Sequence, residues 1–209
     1  MTLEAKKLQC TRGDRELFSD LSFQLSTKQL MRLEGRNGSG KTTLLRTLCG
    51  LFMPDRGEVL WRGSSIKQQD EEFRKNLFYL GHNNAIKVDL TVIENLRINS
   101  NLAGETVNDD DLLQALDKIG LYAFEDFPTR QLSQGQKRRV SLARLLLTKA
   151  KLWILDEPFV ALDFAAVELL QIIIAKHVDN GGMVILTTHQ EVPLTSGEII
   201  RVSLDEVET

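Results

Sequence analysis

The stretch "LMRLEGRNGSGKTTLLRTLCG", Leu30 to Gly50, decides the fold. "LMRLE" reads as an apolar strand and "TTLLRTLCGL" as a helix, and between them Gly35 to Thr42 fits G-x-x-x-x-G-K-[ST]. A strand that turns through glycines into a helix is the context in which this pattern holds phosphate. Glycine lets the backbone wrap closely, so that successive N–H groups and the helix N-terminus face the oxygens of a triphosphate. Gly35, Arg36, Asn37, Gly38, Ser39, Gly40, Lys41, Thr42 and Thr43 are therefore expected to line the phosphates. Lys41 would reach the β and γ groups, and the Thr42 hydroxyl would ligate Mg²⁺. The competing reading, a glycine-rich turn with a solvated lysine, is disfavoured by the strand before and the helix after.

Further along, "GEVLWRG" (57 to 63), "LFYLG" (77 to 81), "KLWILDE" (151 to 157), "MVILTTH" (183 to 189) and "EIIRVSL" (198 to 204) read as strands. Several are apolar almost throughout, which predicts an α/β sheet with parallel strands covered on both faces. The first 26 residues partly alternate, in "LEAKKLQC" and "LFSDLSFQL", and suit an antiparallel edge sheet. From Gly81 to Ser133 the strand signals stop, giving a helical insert. In it, "NDDD" reads as a helix start, capped by Asn108 or Asp109, rather than as a metal site.

With 209 residues the chain is expected to be one domain, 1–209, with a helical subdomain over about 82–150. Its 42% hydrophobic and 26% charged content is that of a globular protein, and a net charge of −3 argues against a nucleic acid partner. Cys10 and Cys49 are too few for a disulfide framework and read as small buried side chains in a reducing cytosol. No run reads as a signal peptide or a membrane span, so attachment to a membrane would need partner subunits.

Two acids close the strand "LWILDE". Asp156 is placed to hold Mg²⁺ and Glu157 to orient or polarise an attacking water. His189, after "VILTT", could hydrogen-bond a γ-phosphate, although a lone histidine at a strand end is more often structural. "LSQGQKRRV", Leu132 to Val140, opens a further helix with small polar residues, a second N-terminus suited to an anion. The basic "KRR" that follows reads mostly as solvated surface.

"GRNGSGKT", "LSQGQ", "LWILDE", "ALD" (161 to 163) and "TTH" (187 to 189), in this order, resemble the ATP-binding subunits of ABC transporters over nearly the whole chain. The resemblance implies a P-loop NTPase fold of ABC type, with a mostly parallel core sheet, an N-terminal antiparallel β subdomain and a helical insert. It implies ATP and Mg²⁺ as ligands and a head-to-tail homodimer, in which Ser133 and the Gly135 N–H meet the partner's γ-phosphate. Gln136 would support that contact, and Asp163 would carry contacts across the dimer.

Three positions depart from the family pattern. Gln134 stands for the second signature glycine. Arg12 stands near the place of the aromatic that stacks on adenine, with Phe18 a weaker candidate. His82 stands where a glutamine normally touches Mg²⁺ and water; it either replaces the amide or is a passive loop residue. "RGDRELF", "YLGH", "LDEPFVALD" and "GGMVILTTHQ" resemble, more narrowly, the ATP-binding subunit of the bacterial haem exporter of cytochrome c maturation, the CcmA type.

That implies a peripheral subunit on the cytoplasmic face of the inner membrane, docked on integral partners of the CcmB and CcmC type, with no appended regulatory domain. ATP hydrolysis would drive release of a haem-loaded chaperone. Other ABC exporters, a soluble ABC ATPase of translation or DNA repair, and a non-enzymatic nucleotide-gated regulator are the alternatives.

Overall fold

The structure, a computed structural model, describes residues 1–68, 70–190, 192–193 and 197–205. Strands β1 (Thr2–Arg12) and β2 (Arg15–Ser26) form a hairpin, followed by β3 (Gln29–Glu34), α1 (Lys41–Leu48), β4 (Arg56–Trp61), β5 (Ser64–Ser65), α2 (Asp70–Lys75) and β6 (Leu77–Leu80). Next come α3 (Val92–Leu102), α4 (Asp109–Lys118), α5 (Gln134–Leu147), β7 (Leu152–Leu155), α6 (Phe164–Asp179), β8 (Met183–Thr187) and β9 (Glu198–Ser203).

One sheet has the order β6-β7-β8-β3-β9, with β3 parallel to both β8 and β9, and β7 parallel to β8. β7 and β8 are buried along their whole lengths, which is why their sequences are apolar without alternation. The other sheet, β2-β1-β4-β5, is antiparallel. It takes up the N-terminal hairpin, as its partial alternation predicts. It also takes β4, which the sequence had grouped with the parallel strands. Only the last half of β4, Val59 to Trp61, is buried, and it pairs Trp61 with Leu3 of β1. So short an apolar run carries no periodicity from which to choose its sheet.

The chain divides into two compact units, one of Met1–Tyr79, Lys151–Pro158 and Ala175–Thr209, the other of Leu80–Ala150 and Phe159–Ile174. In the first, Leu3, Leu8, Phe18, Leu45, Trp61, Ile154 and Ile185 belong to one core that includes both free cysteines, Cys10 and Cys49. Burial of each large side chain there contributes about 2 kcal/mol.

In the second unit, α3, α4 and α5 pack Val92, Leu96, Leu112, Leu116 and Val140 together. All three helices begin with a reciprocal capping box: Thr91 with Glu94, Asn108 with Asp111, and Ser133 with Gln136. "NDDD" is thus a helix start, with Asn108 as its cap. Each such box satisfies two helix-end donors that water would otherwise have to meet.

Candidate nucleotide site

The glycines before α1 do what the motif requires of them. Gly35 has φ 148° and a methyl group on it would meet Ser39 Oγ at 2.5 Å; Gly40, at φ 102°, caps α1 in the left-handed region. Gly40 makes no side-chain cap bond, and among the described residues no side chain bonds the N–H groups of the first turn of α1, which are open to a ligand. Ser39 Oγ is buried without a hydrogen-bond partner among the described residues, an orphan that a phosphate oxygen would satisfy. Lys41 Nζ donates to the carbonyls of Gly35 (2.6 Å) and Arg36 (3.1 Å), arched over its own loop. Arg36, Asn37 and Gly38 are exposed, Thr43 lies in the first turn of α1, and the Arg36 N–H is held by Asp205 Oδ1 at 2.9 Å.

β7 and β8 deliver the acids and the histidine to this loop. Asp156, 3% exposed, accepts from Thr42 Oγ1 at 2.9 Å and from Thr187 Oγ1 at 2.8 Å. Thr187 in turn accepts from the Glu157 N–H at 2.9 Å, so one threonine fixes both acids. Its burial made it read as part of an apolar strand; the only clue was its place in the quoted "TTH". Glu157 adopts φ 50°, a left-handed conformation that a glutamate enters only when its surroundings demand it. That turn brings Oε1 within 3.4 Å of His189 Nε2. Thr42 and Asp156 offer hard oxygen donors side by side, the chemistry that Mg²⁺ prefers.

The signature residues belong to the second unit. Ser133 Oγ accepts from the Gln136 N–H at 3.2 Å, and Gln136 Oε1 accepts from the Ser133 N–H at 2.9 Å. Gly135 packs against the backbone, a methyl on it lying 3.2 Å from the Ala161 oxygen, while Gln134 is exposed. Asp163 caps the start of α6 through the Ala166 N–H and pairs with Arg139, which together hold its carboxyl below the usual range. His82 is exposed in the loop after β6.

Two expectations are corrected. The two arginines of the "KRR" run are not solvated surface: Arg138 is 4% exposed and donates to Gly81 O and Asn84 Oδ1, and Arg139 bonds Ile119 O and Asp163. Their targets are oxygens of the loop after β6 and of helix ends, which a local reading of charge does not reveal. Phe18 cannot stack on a base, being 1% exposed within the first core. Arg12 is exposed at the end of β1.

Residues 18–160 match the family model described as "ABC transporter". The chain belongs to the ABC transporter family. Among curated relatives of this ABC transporter chain, the "Cytochrome c biogenesis ATP-binding export protein CcmA" of Dechloromonas aromatica is 54% identical, over 94% of this chain and 97% of that protein. Among solved structures, a putative ABC transporter ATP-binding protein from Pyrococcus furiosus superposes with TM-score 0.85 at 26% identity, covering 100% of both chains. A dimeric ATP-binding cassette bound to ADP and Pi shares the fold, with TM-score 0.83 at 23% identity, over 99% of this chain and 97% of that one. Among the described residues of this ABC transporter chain, no helix is long and apolar enough to cross a membrane.

Proposed function

We propose that this chain is the ATP-binding and ATP-hydrolysing subunit of an ABC exporter serving cytochrome c biogenesis. The observation that carries the reading is the chain of contacts Thr42, Asp156, Thr187, Glu157 and His189 beside an uncapped helix start. Lys41 exchanges its two carbonyl partners for β- and γ-phosphate oxygens, and the loop N–H groups hold the rest of the chain. Thr42 and Asp156 would hold Mg²⁺, which when bound supplies charge neutralisation between the phosphates. Glu157 accepts the proton of the water whose oxygen attacks the γ-phosphorus, while His189 steadies the water and the γ-phosphate. The bond to the β-γ bridging oxygen breaks, and ADP and inorganic phosphate leave.

Ser133, Gly135 and Gln136 serve the nucleotide of a second copy, in a homodimer that closes on ATP and opens after hydrolysis; Asp163 carries contacts across that dimer. His82 and its loop relay the closure to the membrane partner, Arg12 stacks on the base, and residues 1–209 work as one ATPase domain whose helical part is the relay. The name of the 54% identical relative supports export in cytochrome c biogenesis. The finer assignment is a peripheral subunit at the cytoplasmic face of the bacterial inner membrane, bound to CcmB- and CcmC-type subunits, whose ATP hydrolysis releases a haem-loaded chaperone.

The test is purification of Glu157→Gln from membranes with ATP and magnesium. An ATP-loaded pair of these chains on integral subunits is expected. A chain that stays monomeric and alone when saturated with nucleotide overturns the reading.

A further inference from the structure

The hairpin of β1 and β2 ends in a two-residue turn, Gly13 and Asp14, with Arg12 directly opposite Arg15 and Thr11 opposite Glu16. Residues opposite one another project to the same face, and successive pairs alternate. The face carrying Thr11 and Glu16 is engaged. Thr11 donates from both N and Oγ1 to Asp55 Oδ2, at 2.6 and 2.7 Å, and Gln9 donates to Glu16 at 2.7 Å. The face carrying Arg12 and Arg15 is not, since among the described residues neither guanidinium makes a hydrogen bond or an ion pair.

Arg15, on that second face, lies beside the phosphate loop. A methyl placed on Gly40 would fall 3.0 Å from Cβ of Leu17, two residues along the strand from Arg15, and a methyl placed on Gly38 would fall 3.9 Å from Nη1 of Arg15. Asp55 anchors the hairpin end, so the position of Arg15 is set by strand pairing and not by a charged partner.

We propose that Arg15 is a phosphate contact of the nucleotide site, delivered to the phosphate loop from the hairpin tip. The proposal rests on the nucleotide reading above. A guanidinium offers a fork of donors that matches a phosphate, and a triphosphate is the polyanion that this loop is built to receive. Lys41 rises from the helix start as a single cation, whereas Arg15 comes from a different strand with its donors unspent. Arg12, the same charge on the same hairpin, is the natural comparator, because its proposed partner is the base.

The experiment is calorimetry of the full chain with ATP and with inorganic tripolyphosphate, both with magnesium. Arg15→Ala is expected to weaken both ligands about tenfold, the scale of one charge-assisted hydrogen bond, with Arg15→Lys recovering part of the loss. Arg12→Ala is expected to leave tripolyphosphate within about twofold, as for an exposed charge that does not touch the ligand. Unchanged tripolyphosphate affinity in Arg15→Ala overturns the contact. An equal tripolyphosphate loss in Arg12→Ala also overturns it, reducing the effect to the general field of the hairpin. Lys41→Ala separates the failures: if it alone loses both ligands, the nucleotide reading stands and the Arg15 contact is wrong, whereas a wild-type chain that binds neither ligand removes both.

Discussion

Two helices in this protein begin with small polar residues, and they begin differently. α1 starts at Gly40, in a left-handed turn, with no side chain among the described residues on its first N–H groups. α5 starts at Ser133, whose hydroxyl and whose N–H are both taken by Gln136. Among the described residues, the first end leaves its N–H groups open; at the second the cap takes the Gln136 N–H, while the Ser133 hydroxyl hydrogen stays free to donate. A ligand at α1 gains donors that cost the protein nothing to release, and a phosphate at Ser133 would accept from a hydroxyl that keeps its bond to the Gln136 N–H, so that the cap orients this donor without being given up. The phosphate loop is therefore suited to hold nucleotide in a single chain. The Ser133 end offers fewer open N–H groups, because its cap takes that of Gln136.

The largest effect expected is at the acid beside the loop. Glu157→Gln keeps the side chain's shape but removes the proton acceptor, so turnover should fall about a thousandfold with ATP binding retained. Phosphate release from the assembled complex measures it, and near wild-type turnover would reject the assignment. Next is Lys41→Ala, which should weaken ATP tenfold or more, about 1.5–3 kcal/mol for a lost charged hydrogen bond. Calorimetry reads it, and an unchanged affinity would mean that α1's open end alone holds the phosphates.

Ser133→Ala tests the other side of the comparison. It should cost about 1 kcal/mol of stability without nucleotide, seen as a lower urea midpoint, because a helix cap is lost. A midpoint equal to wild type would show that the capping box adds no stability in solution, and that the two helix ends are alike.

The last test leaves both ends alone. His177 stacks on Trp153 with ring centroids 3.7 Å apart, and burial pushes its pKa from 6.5 down to about 4. The folded chain thus holds the ring neutral while the unfolded chain protonates it more readily. Stability should fall as pH drops from about 6.5 to about 4 and change no further from this group below that. In His177→Gln the fall in urea midpoint between pH 7 and pH 5 should be smaller; an equal fall in both proteins would reject the histidine as its source.

How much of this was legible in the sequence follows from how local each constraint is. The phosphate loop was legible because Gly35 and Gly40 sit where backbone geometry excludes other residues. The capped start of α4 was legible because Asn108 and the acids after it act within one turn. Strand β4 was misgrouped because three buried residues fit either sheet. Thr187 was passed over because a buried hydroxyl inside an apolar strand looks like packing until its partners, Asp156 and the Glu157 N–H, are seen. Arg138 was misread because long charged side chains face water by default, and only the folded chain brings Gly81 and Asn84 to meet it.

Arg138 has a further consequence together with Ser141, which donates to the Asn84 carbonyl at 2.6 Å. Two residues a helical turn apart grip the same loop, so the segment that carries His82 is clamped to the body of α5 without slack. A partner that tugs on that segment would steer Ser133 as a rudder is steered by its tiller. Hydrogen exchange should then show the amides of 81–86 and 134–141 gaining and losing protection in step, and independent exchange of the two would break the linkage.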